Sequence, residues 1–485
     1  MISKNRVWNF VLQPLPLIIL LTILQLFIGL LSNNLTFTHE ESMWEYIGRN
    51  WFRNGLIPYD GGVDNKSPLI FAIFGLSDKL FGVNFWFPRI LGTICQSAGL
   101  YFVYKTAKYI SGELSGIFAI TLYGLSLLWK GTGGAYVSFT ETYAVTFIII
   151  SFYKSITAQK GKAYFVSGLL AGVAFGFRIS AVFGVGAILI SILRKKFIPA
   201  LLFLAGVASA LLALTILLSL SGMHLHDFLT YGFSDNFGAG SPTDYDLSSK
   251  LQRALDSFFY SEFILFYPLV VGYFMIKKKL DPVTIWLICE FVGINVLGIY
   301  ARNHFKEILP PLSLSSGICL AYLAETYKVP VKAIVIVTWI AFFPKILEPF
   351  VGLKKLINPD SESPEKFCQQ LQTNDEAEKN LGIWIKANTT EEQKVYVSGF
   401  GARVQAYSER QSPSIYFNVT QTKIAKERLF HDLLLNKPSV IAVPVFPEYT
   451  NYVSEDIRSF ISNLVVTNYS LQRCMYGYNI YRLKN

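Results

Sequence analysis

Long runs without charge constrain this sequence most. Pro14 to Leu31 contains no charged residue and has about the length that crosses a bilayer core. No small-residue cleavage site stands out before Asn33, and further apolar blocks follow, so the run reads as a first membrane span rather than a leader. Charged residues make up 16% of the chain and hydrophobic ones 52%, a balance that belongs to membrane proteins rather than to soluble domains.

Apolar blocks near 12–32, 87–104, 112–130, 140–153, 163–177, 180–193, 197–220, 258–276, 283–300, 307–324 and 331–347 predict about eleven crossings. The pair 163–177 and 180–193 is short on both sides of Arg178 and also fits one bent or re-entrant element. Short-loop charges set the orientation. Lys4 and Arg6, Lys105 and Lys108, Lys154, Lys160 and Lys162, Arg194 to Lys196, Lys277 to Lys279, and Lys328 and Lys332 all fall on one side, which is cytoplasmic. The net charge of +10 is thereby accounted for, and nucleic-acid binding is set aside.

An odd number of spans places the C-terminus outside, with two long loops, 33–88 and 221–257. The apolar stretch Pro68 to Phe81, interrupted by Asp78 and Lys79, reads as a helix lying on the membrane. The expected architecture is a polytopic α-helical membrane domain over 1–350 and a small soluble α/β domain over 358–485. In the latter, Val395–Ser398, Ser439–Val443 and Tyr478–Leu483 are expected strands, and Glu376–Ala387 and Ile424–Leu435 expected helices. This tail holds no phosphate-binding glycine loop and no nucleophile elbow. Cys95, Cys289 and Cys319 sit in apolar runs as small hydrophobes. Cys368 and Cys474 lie in the tail and can pair if it faces an oxidising compartment.

The first external loop concentrates the chemistry: Thr38-His39-Glu40-Glu41-Ser42-Met43-Trp44-Glu45-Tyr46-Ile47-Gly48-Arg49, then Gly55-Leu56-Ile57-Pro58-Tyr59, then Asp64-Asn65-Lys66-Ser67-Pro68. Adjacent carboxylates supply a candidate general base and a second acid to orient it. Arg49 and Lys66 offer charge to an anionic partner, and Lys66 stands at headgroup depth before an interfacial segment. A charged loop start and a snorkelling lysine describe the same residues, and chemistry alone does not separate the readings.

The stretch Glu40 to Arg89 resembles the first external loop of the GT-C glycosyltransferases, the polyprenyl-phosphate-sugar enzymes that include protein O-mannosyltransferases and the aminoarabinose transferase of lipid A. The resemblance is carried by Glu40-Glu41, Trp44, Arg49, Gly55 with Pro58-Tyr59, Asn65-Lys66-Ser67-Pro68-Leu69, Leu80-Phe81-Gly82 and Arg89. The family's usual Asp-Glu pair is Glu-Glu here, and its Lys-Pro-Pro is Lys66-Ser67-Pro68. Thr140-Glu141-Thr142 matches an acidic residue opening a span, and equally a helix cap. Gly168-x-x-x-Gly172 ending in Phe177-Arg178 matches a glycine-rich span, and equally close helix packing; an arginine so placed calls for a partner. Arg302-Asn303-His304-Phe305-Lys306 before Leu309-Pro310 matches the His-Tyr…Pro element, and equally a positive span flank. His224-Leu225-His226-Asp227 is too sparse for a metal site.

The resemblance implies an inverting transfer of a sugar from a polyprenyl phosphate to a hydroxyl at the external face. Glu40 is then the expected base, with Glu41 and Glu141 as further catalytic acids. Lys66, Arg178, Arg302, His304 and Lys306 are expected at the lipid phosphate, and Arg49, Tyr59 and Arg89 are expected to position substrate. No cofactor is expected, and a divalent metal is left open. The acceptor is a lipid, a glycan or a protein, and a bacterial inner membrane is the expected location, with the C-terminal domain periplasmic. A flippase of lipid-linked glycans would place its polar groups at the midplane with an internal repeat, and no clear repeat is found. An envelope assembly protein would depend instead on the tail.

Overall fold

Every apolar block of the sequence is helical in the computed structural model, which describes residues 13–133, 136–234, 247–259, 262–343, 348–357, 374–418, 423–446, 449 and 453–484. Helix α1 is Pro14–Leu31, and α2 (His39–Asn54) and α3 (Pro68–Phe81) follow in the first long loop. Then come α4 (Trp86–Ser111), α5 (Glu113–Ser126), α6 (Thr140–Ile156), α7 (Gly161–Phe177), α8 (Val182–Leu193) and α9 (Phe197–Leu220). Helices α10 (Leu247–Phe259), α11 (Tyr267–Lys277), α12 (Pro282–Leu297), α13 (Leu309–Thr326), α14 (Val331–Phe342) and α15 (Glu348–Ile357) complete the first 357 residues. The C-terminal domain runs α16 (Asp375–Ala387), β1 (Val395–Val397), α17 (Ala402–Ser408), α18 (Lys423–Leu435), β2 (Val440–Pro444), α19 (Glu455–Asn468), β3 (Tyr469–Met475) and β4 (Tyr478–Leu483). The expected domain junction at Asn358 and Cys368 lie outside the described residues.

Among the described residues, α1 and α9 are long and apolar enough to cross a membrane alone; Leu251–Phe259 and Glu262–Lys277, bent by 56° at their break, give a third if they form one span. Several helices fall short of the blocks that suggested them. With 12 residues, α14 rises about 18 Å against a core of about 30 Å. Arg178 is extended (φ −159°, ψ 130°) and ends α7, and a 3-10 turn at Ile179–Ala181 precedes α8, so the pair flanking Arg178 is two helices and not one bent rod.

Contacts divide the chain into two compact units: Met1–Leu30, Arg89–Leu217 and Pro242–Pro349 in one, Leu31–Pro88, Leu218–Ser241 and Phe350–Asn485 in the other. Within the first, α7 meets α9 through glycines. A Cβ at Gly168 would stand 2.0 Å from the Phe203 carbonyl oxygen, and one at Gly206 would stand 2.1 Å from that of Phe165. The Gly168-x-x-x-Gly172 spacing thus does what small residues do between apolar helices: it lets backbones touch.

In the second unit α2 lies against α3, again at glycines: a Cβ on Gly48 would be 2.4 Å from the Gly75 nitrogen. Ile70, Phe71 and Phe74 are buried while Leu76, Leu80 and Phe81 are exposed, so α3 is two-faced. Helix α2 was expected only as a charged loop. Acidic and basic residues hide its period, yet Thr38-x-x-Glu41 is a capping-box spacing and Gly55 closes it at φ 69°. The sheet has order β1-β2-β4-β3, with β1 parallel to β2 and the other pairs antiparallel. Alternating strand residues feed two cores. Val395, Val397, Ala442 and Ile480 meet α16 and α17, while Tyr396 and Ile441 meet α18 and α19. The expected small α/β domain is therefore a sheet with helices on both faces; α17, α19 and β3 were not expected. Cys474 is disulfide-bonded.

Gly168→Val should remove the folded protein from a detergent size-exclusion profile, or lower its melting point in line with a loss of about 3 kcal/mol. Gly186→Ala, where nothing lies within 4 Å of the added carbon, should elute and melt like the parent.

Candidate functional site

The acidic pair is divided by the start of α2. Thr38 is the N-cap: its hydroxyl accepts from Glu41 N at 3.1 Å, and the Glu41 carboxylate accepts from Thr38 N at 2.8 Å. This box commits Glu41, fully buried, to the helix end, a contact worth about 1 kcal/mol. Glu40, one residue earlier, is left exposed. The protein crowded around it raises its carboxyl above the ordinary value, against a backbone hydrogen bond and the charge of Lys66, which lower it; Asp64 and Glu41 add to the rise.

Lys66 comes to Glu40 on a loop pinned at several points. Asn50 Nδ2 donates to the Gly61 carbonyl at 2.8 Å, and Trp44 Nε1 donates to Asp64 Oδ2 at 2.8 Å. Tyr59, buried and at φ 75°, donates its hydroxyl to the Lys66 carbonyl at 2.8 Å. The Lys66 side chain is 26% exposed; its ammonium donates to Asn65 Oδ1 and lies 3.9 Å from Asp64. Tyr59 therefore positions the lysine, and only through it a ligand. Asp64 was not given a role from sequence, because the Trp44 indole that holds it lies 20 residues away in the chain.

His39 opens α2 beside Glu40. Burial, with the Arg403 charge second, lowers it to about 4, so the ring is neutral near pH 7. Asn418 Nδ2 donates to its Nε2 at 3.1 Å. Arg49 is 2% exposed and donates to the carbonyls of Ala406 at 2.6 Å and Gln405 at 3.4 Å. These bonds hold Arg49 inside the fold.

The other unit holds the second group of expected residues. Glu141, in the first turn of α6 and fully buried, receives Arg178 Nη1 at 2.5 Å and Asn303 Nδ2 at 2.6 Å, with His304 Nε2 at 3.8 Å. Arg178 Nε also reaches Glu307 Oε1 at 2.6 Å, which Ser180 Oγ joins at 2.6 Å. The partner that Arg178 called for is thus a pair of carboxylates. Lys306 is 1% exposed, donating to the Tyr136 carbonyl at 2.5 Å and lying 3.3 Å from Thr142 Oγ1. Both cations have partners within the protein. Arg302 is exposed. Arg89 is buried and donates to the Gly29 carbonyl at 3.1 Å, which ties α4 to α1. Glu307 and Asn303 were missed as members: a glutamate next to a lysine at a span end reads as flank charge. Among the described residues no group of three or more His, Cys, Asp or Glu could hold a metal ion.

A family model described as dolichyl-phosphate-mannose-protein mannosyltransferase matches residues 65–220, which include Lys66, Glu141 and Arg178. ArnT from Cupriavidus metallidurans bound to undecaprenyl phosphate superposes with a TM-score of 0.62 at 11% identity, over 96% of this chain and 97% of that one. The chain has the GT-C fold. Apo ArnT gives 0.59 at 10% identity over 99% and 98% of the two chains. The archaeal oligosaccharyltransferase AglB from Archaeoglobus fulgidus, in complex with an inhibitory peptide and a dolichol-phosphate, gives 0.51 at 9% over 91% and 72%. No curated protein matches by sequence. Helices α1 and α9, long and apolar enough to cross a membrane, agree with that fold.

Arg178→Ala leaves two buried carboxylates without their cation and should cost about 3–5 kcal/mol, read as a fall in melting temperature of the purified protein. Adding Glu141→Gln to that variant should recover part of the loss; a strictly additive pair would remove the coupling inferred here.

Proposed function

We propose that this chain is a membrane glycosyltransferase that moves a sugar from a polyprenyl phosphate to an acceptor hydroxyl at the external membrane face, with inversion. One observation carries the reading. Glu40 is an exposed carboxylate with a raised affinity for protons, on the rigid end of a capped helix, in the field of a lysine held by a pinned loop. A base must be open to its acceptor and basic enough to take a proton, and Glu40 has both properties. Lys66 then stabilises the charge that grows on the lipid phosphate as it leaves, the kind of charge that preorganised cations serve best. Arg302, exposed, offers its charge to an anionic ligand. Glu141 and Arg178, paired with each other, take and give no protons in this scheme.

Several findings support the reading. The relatives in the structural comparison were solved with undecaprenyl phosphate and with a dolichol-phosphate, and the matching family model is described as mannosyltransferase. A disulfide at Cys474 fits a tail in an oxidising compartment, hence outside, as does the one-sided placement of loop lysines and arginines over eleven crossings. A bacterial inner membrane with the C-terminal domain in the periplasm meets both conditions. The exposed face of α3, with Leu76, Leu80 and Phe81, suits a helix lying on the lipid surface near Lys66.

The assay is the purified full chain in nanodiscs, given radiolabelled undecaprenyl-phosphate-linked hexose and aminopentose donors with an envelope extract as acceptor. Glu40→Gln should lower kcat by about 10²–10⁴-fold while undecaprenyl phosphate still binds; undiminished transfer would end the base assignment. The pH dependence has a definite sign. Glu40 works deprotonated and its carboxyl is raised, so the acid limb of kcat/KM should fall off at a pH above the ordinary glutamate value of 4.5. Lys66→Ala should raise the donor KM and lower kcat, and Lys66→Arg should keep more of both.

A further inference from the structure

The C-terminal domain carries no catalytic motif, yet it grips the helix that bears Glu40 at two places. Arg403, on α17 and 7% exposed, donates Nε to the Phe37 carbonyl at 2.9 Å. Three residues further along α17, the Ala406 carbonyl receives Arg49 from α2 at 2.6 Å. The two bonds run in opposite directions between the same pair of helices, one before the start of α2 and one three turns along it.

The first bond matters most, because of the peptide group it holds. The Phe37 carbonyl and the Thr38 N–H belong to one planar unit. Arg403 takes the carbonyl, and the Glu41 carboxylate takes the N–H at 2.8 Å. With both polar ends fixed, the plane that launches α2 cannot swing, and Glu40 follows two residues later. The Phe37 ring adds to the hold: it is fully buried, 5.3 Å from the Tyr407 ring of α17.

Arg403 is itself oriented from behind. Its guanidinium pairs with Glu378 and, at 3.0 Å, with Asp375, both on α16, and the Tyr478 hydroxyl of β4 donates to Glu378 at 3.1 Å. Buried and matched by two acids, this arginine has no charge to spare for a phosphate. What it can deliver is placement, drawn from the packed sheet and passed to the loop.

We propose that Arg403 is a positioning residue for Glu40, and that the C-terminal domain is a working part of the transferase site through the Arg403–Phe37 bond. The inference rests on the reading of Glu40 as the base. Its energetic scale follows from geometry, since a 1 Å displacement of a reacting group costs about a hundredfold in rate.

The test uses the full chain in nanodiscs with the same radiolabelled undecaprenyl-phosphate-linked donors. Arg403→Ala should lower kcat about a hundredfold with donor KM and undecaprenyl phosphate binding unchanged. Added guanidinium chloride, at millimolar concentrations well below denaturing ones, should restore much of the rate by refilling the site. Arg403→Lys should fall between, because an ammonium can reach the carbonyl or the acids but not all three. A folded Arg403→Ala protein with the parent kcat overturns the proposal, and so does a rate that guanidinium does not raise. If the alanine variant does not fold, the lysine variant decides: a tenfold lower kcat at constant KM supports the role, and a parent-like kcat overturns it. Inactive Glu40→Gln beside fully active Arg403→Ala overturns this inference alone; an active Glu40→Gln overturns the base assignment whatever Arg403 does.

Discussion

The capping box at Thr38 governs what the acidic pair can do. Two adjacent glutamates near a helix start are chemically alike until one of them is used to satisfy orphan N–H groups. Glu41 is that one: its carboxylate bonds the Thr38 N–H, and the exchange buries it completely. Glu40 is thereby held one position earlier, on a helix that cannot fray, facing accessible space. Rigidity and openness are usually in conflict for a charged side chain on a loop. Here they are assigned to neighbouring residues.

Cations are sorted by the same principle. A buried guanidinium or ammonium must find matched acceptors or the cost of desolvation exceeds any gain. Arg178 sits between Glu141 and Glu307, Lys306 is taken by a carbonyl, and Arg49 and Arg403 hold backbone carbonyls. Each of these is a fastener. Lys66 differs, partly exposed on a loop whose backbone is fixed by Tyr59 while the ammonium keeps only the light company of Asn65 and Asp64. Counting positive residues near a site would have made these equivalent; burial and partners separate them.

Much of this was legible in the sequence. Charge-free runs announced the helices, because nothing but an apolar environment rewards such runs, and the order of motifs from Glu40 to Arg89 announced the GT-C fold. The short strands Val395–Val397 and Val440–Pro444 were visible because buried strands are continuously apolar. Helix α2 was not, since charged residues interrupt its apolar period and one of them, Arg49, finds its partner 357 positions away. At Arg49, Arg89, Arg178 and Lys306 the sequence shows that a charge exists but not which segment partners it. Helix α17, only seven residues long, has too little length for any period to show.

The bond from Arg403 to Phe37 spans 366 residues of chain. A protein is synthesised from its N-terminus and inserts its helices as they emerge. The segment bearing Glu40 is therefore among the first made, while its latch is among the last. Until residue 403 has left the ribosome and the sheet behind it has closed, the Phe37 carbonyl has the hydroxyl of its neighbour Thr36, at 3.2 Å, but not yet its distant guanidinium. A nascent chain would sit in the membrane with every motif of the first loop present and the peptide before Glu40 not yet latched.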